Sequence, residues 1–180
     1  MASIRITKTM AENAADVMAK KAYDYKIKKI EQELTNTASK LASKYIPAPV
    51  LACAKEYGDY MGTSNNVVVR HLVTKSDGTT TTSGWINSNT NIPVPHSCCY
   101  IMADDNDFSL IDNIEKKRLS TLRDKDEFRN KVCGALVSLR TVKRVEEDFP
   151  EAVKFIDIPV EKSLPSPVLS DIRSIVSLIS

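Results

Sequence analysis

Six side chains between residues 70 and 100 have the chemistry that a nucleotide-sized ligand requires. Arg70 and His71 lie in a run of apolar and β-branched residues, and Trp85, the sole tryptophan, lies in a second such run. Because every second side chain of a strand shares a face, pairing of the two runs places an aromatic plane beside hydrogen-bond donors. Indole stacks on a base, and guanidinium binds phosphate. The predicted ligand-binding residues are Arg70, His71, Trp85, Asn87, His96 and Tyr100.

Trp85 has a second interpretation, which the sequence leaves open. The ring could pack the β-segment against the helices rather than bind a ligand. Its surroundings are polar and almost uncharged: residues 63–91 contain sixteen Ser, Thr and Asn residues among twenty-nine, and residues 45–103 contain three basic and three acidic residues. Only the first interpretation makes this middle segment a binding site.

Four cysteines offer two further kinds of site. His96, Cys98 and Cys99 could bind zinc with Cys53 or Cys133, but their spacing matches no zinc finger or ribbon. Cys98 or Cys99 could also act as a nucleophile if His71 or His96 lies within hydrogen-bond distance. The favoured interpretation is free, buried thiols in a reduced intracellular protein, since cysteine packs as a small apolar residue. We expect no metal, no cofactor and no catalytic residue.

The composition excludes several common classes. The chain has 5 glycines in 180 residues, below the usual ~7%, and it contains neither a G-x-G-x-x-G run nor a Walker A lysine loop. No apolar run approaches the ~20 residues of a membrane helix, so we expect no membrane partner. The net charge is +2, and the basic stretch at residues 20–29 is typical of the solvated face of an amphipathic helix. We therefore expect no nucleic acid partner.

A long helix is predicted before the polar middle segment. Apolar residues recur at steps of three and four from Tyr23 to Tyr45. Thr9 and Glu12 have the spacing of a capping box, which would place the start of the helix there. The prolines at 47 and 49 end the helix, and a short second helix follows them.

The middle segment predicts a β-hairpin. Residues 67–73 and 79–87 are rich in β-branched side chains, and they flank the turn sequence Asp77-Gly78. Residues 92–95 read Ile-Pro-Val-Pro, which is extended and suits the edge of a sheet because proline lacks an N–H donor.

A second helical region follows Asp104, with an apolar stripe from Leu110 to Val145. It forms one helix or two helices joined near Asp124, and Pro150 begins a short final turn. We predict an α+β, mostly α fold in which a long antiparallel helical hairpin carries a small β-hairpin or antiparallel sheet inserted at about 63–103. Residues 1–157 form this domain, 158–167 a proline-rich linker, and 168–180 a C-terminal amphipathic helix for docking or homo-oligomerisation.

Three stretches resemble one family of phage proteins. They are Ile-Thr-Lys-Thr-Met with the following Val-Met-Ala-Lys-Lys-Ala helix, the tryptophan-bearing β-segment that leads to Pro93-Val94-Pro95, and the run from Leu136 to Ala152. Over about residues 4–156 the chain resembles the nucleotide-modification-associated domain, type five. The resemblance implies a small phage-encoded protein connected with nucleotides, located in the cytoplasm of the infected bacterial host. It implies no catalytic residues.

Three functions are compatible with these features. The first is a protein that binds a nucleotide-derived small molecule and sequesters a host immune signal, which would make it an anti-defence protein. The second is an enzyme or accessory factor in modified-nucleotide metabolism. The third is an inhibitor of a host protein complex that acts through its helices and C-terminal tail. We favour the first, because the polar middle segment places Trp85 near Arg70 and His71.

Overall fold

The computed structural model describes residues 4–58 and 62–158. Chain contacts divide the described residues into two compact units, one of residues 4–16 with 132–158 and one within residues 17–131. The predicted tail helix at 168–180 and nearly all of the predicted linker lie outside the described residues, so both stay predictions.

Two helices precede the sheet. Helix α1 spans Lys8–Tyr45 and helix α2 spans Ala48–Glu56. The predicted cap of α1 is wrong: the Thr7 hydroxyl, not that of Thr9, accepts the Met10 N–H at 3.2 Å. A cap side chain reaches the amide three residues on, so the position of the first turn decides which of two nearby threonines acts as the cap. Pro49 lies in the first turn of α2, where its missing N–H leaves no hydrogen bond unmade.

Three strands form one sheet. They are β1 (Thr63–Thr74), β2 (Thr80–Pro95) and β3 (Tyr100–Ala103), in the order β2-β1-β3. The hairpin of β1 and β2 is confirmed, with residues 92–95 at the end of an edge strand as predicted. The sheet differs from the antiparallel prediction in one respect: β3 was not predicted, and it runs parallel to β1. A short 3₁₀ turn, His96–Cys98, connects β2 to β3.

Three helices follow the sheet: α3 (Asp105–Leu139), α4 (Val142–Asp148) and α5 (Pro150–Val153). Helix α3 is continuous through Asp124, which settles the question of one helix or two in favour of a single long helix. It ends just before Arg140, whose φ of 63° is left-handed and incompatible with another helical turn. Thr141 then caps α4 by accepting the Arg144 N–H.

Within residues 17–131, α1 and α3 run antiparallel. The rings of Tyr23 and Phe128 lie 5.8 Å apart, and Lys125 Nζ lies 2.6 Å from Asp24 Oδ1. At the other end of the pair, the Tyr45 hydroxyl donates to Asp107 Oδ2 at 2.7 Å. Residue numbers therefore rise along one helix as they fall along the other. With the sheet between the two long helices in the chain, the structure confirms the predicted α+β, mostly α fold.

One apolar core serves the sheet and these helices. The side chains of β1 and β3 that point toward it are fully buried, and apolar residues of both long helices pack with them. Its members include Ile30, Leu34, Ala38, Leu41, Val67, Val69, Ile86, Val94, Ile101, Ala103, Ile111 and Ile114. The stripe predicted for α1 is therefore its buried face, and the sheet is covered by helices on one side.

The unit of residues 1–16 and 132–158 is joined by backbone hydrogen bonds. The Ile6 N–H donates to the Arg140 carbonyl at 2.9 Å, and the Val142 N–H donates to the Ile4 carbonyl at 3.0 Å. Ala11, Ala14 and Leu136 are fully buried. The N-terminal segment of the chain thus lies against the junction of α3 and α4.

Among the residues that the structure describes, no helix combines the length and the apolar character needed to cross a membrane.

Asp107 connects the end of α1 to the start of α3 in the 17–131 unit. Its carboxylate lies 2.5 Å from the Lys44 ammonium and accepts the Tyr45 hydroxyl, and that same hydroxyl accepts the Asp104 N–H at 3.2 Å. Hydrogen bonds from Lys44 and from Tyr45 lower the pKa of Asp107 below its ordinary value. Burial raises the pKa of Tyr45. The end of α1 is thereby tied to the first turn of α3.

Tyr45→Phe is expected to lower the free energy of unfolding by about 1 kcal/mol at pH 7, because it removes this hydroxyl from both hydrogen bonds. The loss shrinks as the pH falls through the range where Asp107 becomes protonated, since a carboxylate with a lowered pKa stabilises the folded state only above that range. Urea unfolding at pH 7 and pH 3 measures both effects.

Tyr25→Phe is the matched control, because Tyr25 lies on the same helix and is 79% exposed. We expect it to unfold like wild type at both pH values. An equal loss for the two variants would contradict a special role for Tyr45.

Candidate functional site

The alternation of side chains along β1 gives the sheet two different faces. Val67 and Val69 point into the core and are fully buried, so the side chain of Arg70 points away from it. Two residues are paired with Arg70 and share its face of the sheet: Trp85 on β2 and Met102 on β3. The outer face of the sheet is the set Val68, Arg70, Trp85, Asn87, Tyr100 and Met102.

Two exposed aromatic rings lie on either side of a guanidinium on the outer face. Trp85 is 68% exposed and lies directly opposite Arg70 in the antiparallel pair, a position that separates Cβ atoms by about 4.5–5.5 Å. The Arg70 guanidinium lies 5.1 Å from the ring centroid of Tyr100, which is 59% exposed. Asn87 lies two residues along β2 on the same face, opposite Val68. Of the six predicted site residues, four are thus brought together: Arg70, Trp85, Asn87 and Tyr100.

The exposure of Trp85 contradicts one of its two interpretations. A tryptophan ring that packs the hairpin against the helices must point into the core, as the side chain of the adjacent residue Ile86 does. Trp85 points away from the helices, so the interpretation that its ring packs the hairpin against them is wrong. The hairpin is held on the helices by Ile86, Val94, Val67 and Val69 instead.

His71 lies on the side of the sheet opposite Arg70. Its Nε2 lies 2.6 Å from Asp105 Oδ1 in the first turn of α3, and its Nδ1 lies 3.1 Å from Ser83 Oγ on β2. The imidazole stacks on the Phe108 ring, with centroids 4.6 Å apart and an angle of 9° between the planes. We call Ser83, His71, Asp105 and Phe108 the His71 cluster. His71 therefore does not join the outer face, because adjacent residues of a strand point in opposite directions.

A β-bulge at Gly84 creates this arrangement. Arg70 pairs with Trp85, but His71 pairs with Ser83, so Gly84 is an extra residue in β2. Its φ of +72° is left-handed, and a Cβ there would lie 3.3 Å from Phe108 Cζ. Without the extra residue, alternation would turn Ser83 away from His71. Sequence reasoning missed Ser83 and Asp105, although a glycine inside a predicted strand is a recognised signal for a bulge.

His96 lies far from Trp85 along the sheet. It begins the 3₁₀ turn, its N–H donates to the Gly62 carbonyl at 3.2 Å, and its ring lies against the Gly62 backbone. Pairing places Pro95 opposite Thr63, and the seven steps of β1 from Thr63 to Arg70 cover about 23 Å. His96 is therefore outside the cluster formed by Arg70 and Trp85.

The cysteines of the turn are spread over different surroundings. Cys99 Sγ lies 3.5 Å from the Pro95 carbonyl oxygen, and Cys98 lines a cavity. The prediction of buried thiols is wrong: Cys53 is exposed, and Cys98, Cys99 and Cys133 are only partly buried. Over residues 4–58 and 62–158, no three His, Cys, Asp or Glu side chains lie close enough together to hold a metal ion.

A cavity of about 330 Å³ opens beside the outer face. Tyr100 and Met102 of β3 form one wall, and Tyr45, Ile46 and Cys98 lie on the others. Its volume is at the lower end of the range for small-molecule sites. The aromatic surface therefore continues into a recess next to Tyr100.

Comparison with known protein families gives a match over most of the chain. A family model described as nucleotide modification associated domain 5 matches residues 5–172. The match extends beyond the resemblance at residues 4–156 and includes the proline-rich segment and the beginning of the predicted tail helix. No curated protein and no solved structure matches the chain.

Replacement of Trp85 by alanine is expected to change the free energy of unfolding by no more than about 0.5 kcal/mol, because the ring is exposed. Ile86→Ala, one residue along on the buried face, is the matched comparison and is expected to cost about 2–4 kcal/mol. Chemical denaturation of both variants gives the two values. A loss of unfolding free energy in Trp85→Ala as large as that in Ile86→Ala would instead show that Trp85 packs the hairpin against the helices.

Proposed function

Because the chain belongs to the nucleotide modification associated domain 5 family, we propose that it binds a nucleotide-derived small molecule on the outer face of its sheet. The observation that carries this proposal is the exposed pair Trp85 and Tyr100 with Arg70 between them. In this arrangement the base stacks on Trp85, and Arg70 binds phosphate.

Stacking on Trp85 supplies affinity for the base. The indole is 68% exposed, and it is held on a strand that is paired to β1 along its length. Base stacking on an aromatic side chain contributes about 1–3 kcal/mol. The exposed ring is therefore suited to a flat partner.

Arg70 supplies affinity for phosphate. It is a strand residue in the centre of the sheet, and the three basic residues of the 45–103 segment are Lys55, Arg70 and Lys75. Its planar guanidinium can offer two parallel N–H donors to one phosphate group, which a lysine cannot. Since Trp85 and Arg70 are directly opposite each other, one nucleotide can contact both.

Two neighbouring features can determine which ligand is preferred. The amide of Asn87 can both donate and accept hydrogen bonds on the same face. The cavity beside Tyr100 can receive a second part of the ligand, such as a further ring or a sugar. A ligand with more than one unit would therefore use both ends of the outer face.

The proposed cellular role is removal of a host signal. The setting is the cytoplasm of an infected bacterial host, where a phage-encoded protein at high concentration would lower the free level of a nucleotide-derived immune signal by binding it. Homo-oligomerisation through the tail would multiply the sites in each particle. Phage infection of hosts with such a defence, with wild type and W85A compared, tests this role; equal protection by the two proteins contradicts it.

Titration with nucleotides tests the binding site directly. As the sole tryptophan, Trp85 reports base stacking by quenching of its own fluorescence, and calorimetry gives the affinity. Trp85→Ala is expected to weaken binding about tenfold or more, since 1.4 kcal/mol is a tenfold change. Arg70→Ala is expected to weaken binding of the nucleotide but not of the matching nucleoside, which lacks phosphate.

Tyr25→Ala is the control, because it removes an exposed ring that lies on α1 rather than on the sheet. It is expected to leave the affinity unchanged. Wild-type affinity of Trp85→Ala for every ligand tested, including mononucleotides, cyclic nucleotides and ADP-ribose derivatives, would contradict the proposal. So would binding of single-stranded oligonucleotides alone, which would assign the face to nucleic acid.

A further inference from the structure

We propose that the His71 cluster is a hydrolytic site in which Ser83 is the nucleophile, His71 the general base and Asp105 the residue that orients the base. The substrates are carboxylic esters with a good leaving group. This activity is separate from nucleotide binding on the outer face, because the side chains of the two sites point to opposite sides of the sheet.

The three side chains form a continuous chain of hydrogen bonds. A carboxylate can only accept, so the 2.6 Å contact between Asp105 Oδ1 and His71 Nε2 places the proton on Nε2. When the imidazole is neutral, Nδ1 has a free lone pair. Ser83 Oγ lies 3.1 Å from Nδ1, so its hydroxyl can donate to that lone pair. This is the order that base-activated serine hydrolysis requires: nucleophile, base, orienting carboxylate.

The surroundings fix the base and leave the nucleophile accessible. The His71 side chain is 23% exposed, and its ring lies flat on Phe108. Ser83 is exposed to solvent on the edge strand. A substrate can therefore reach the hydroxyl while the imidazole is held between a carboxylate and an aromatic ring.

The bulge at Gly84 is the structural reason that the serine faces the histidine. It shifts the register between Arg70 and His71 by one residue. The left-handed φ of Gly84 permits the bulge, and the absence of a Cβ there leaves room for the ring of Phe108, which packs against the core. Bulges re-aim side chains and occur often beside active sites.

The reaction balances without any co-reactant other than water. Ser83 Oγ attacks the carbonyl carbon and its proton moves to His71 Nδ1. The bond to the leaving oxygen then breaks, and Nδ1 returns the proton to that oxygen, which releases the alcohol. Water attacks the acyl-serine, its proton moves to Nδ1, and collapse of the intermediate releases the acid and returns the proton to Ser83.

The exposure of Asp105 limits the substrates to activated esters. Its side chain is 82% exposed, and water screens its charge, so it stabilises the imidazolium less than a buried aspartate would. Amides and unactivated esters need more stabilisation of the transition state. Aryl esters, which have good leaving groups, are the class that fits this site.

Hydrolysis of p-nitrophenyl acetate and labelling by a fluorophosphonate test the proposal. The wild-type protein is expected to hydrolyse the ester at least tenfold faster than Ser83→Ala, and peptide mass spectrometry is expected to find the phosphonyl adduct on Ser83. Asp105→Asn is expected to reduce both the rate and the labelling, because an amide can hold the imidazole in the wrong tautomer.

Ser43→Ala is the matched control, since this exposed serine on α1 bonds only to a backbone carbonyl of its own helix; it should react like wild type. Circular dichroism checks that each variant is folded. Equal hydrolysis by wild type and Ser83→Ala, or an adduct that is absent from Ser83, would overturn the proposal.

Discussion

The structure of the 17–131 unit depends on one constraint, which is that β1 is paired on both sides but covered by helices on only one. Val67 and Val69 can be fully buried only if the side chains between them point away from the helices. Pairing then transmits that choice to both neighbours, so Ile86 and Ile101 join the core while Trp85, Tyr100 and Met102 do not. The outer face is a consequence of how the core is packed.

The hydrogen bonds around Asp107 hold β3 and the start of α3 in place. Strand β3 and helix α3 are separated by Asp104 alone, whose carboxylate accepts the Asp107 N–H and begins the helix. Tyr45 bonds to both aspartates from the end of α1. Because β3 supplies Tyr100 and the first turn of α3 supplies Asp105, the geometry of both candidate sites depends on this short connection.

The sequence predicted the features that periodicity and strong breakers determine. The stripe of α1, the prolines at 47 and 49, and the turn at Asp77-Gly78 led to the correct helices and hairpin. Strand β3 was missed because four residues are too few to show a period, and a parallel partner leaves no turn signal in the chain. The cap at Thr7 was missed because the sequence does not fix the first helical turn.

Only part of the candidate site was predicted, because periodicity shows which side chains share a face but not which distant residues meet. Arg70, Trp85 and Asn87 follow from simple alternation on two paired strands. Tyr100 lies among them only because β3 is present, and His71 is separated from Arg70 by the alternation itself. Ser83 and Asp105 meet His71 through a bulge and a helix start, which are tertiary features. Contacts between residues distant in sequence were the part that the sequence alone did not provide.

Gly84 has an evolutionary consequence. From Trp85 onward, packing of the core determines which side chains of β2 point toward the helices. Before Gly84, the alternation of side chains along β2 is offset by one residue. Mutations in the polar tip of the hairpin, residues 79–83, can therefore change the chemistry next to His71 while Trp85 keeps its place. Selection can act on the two faces separately, and a single glycine provides that independence.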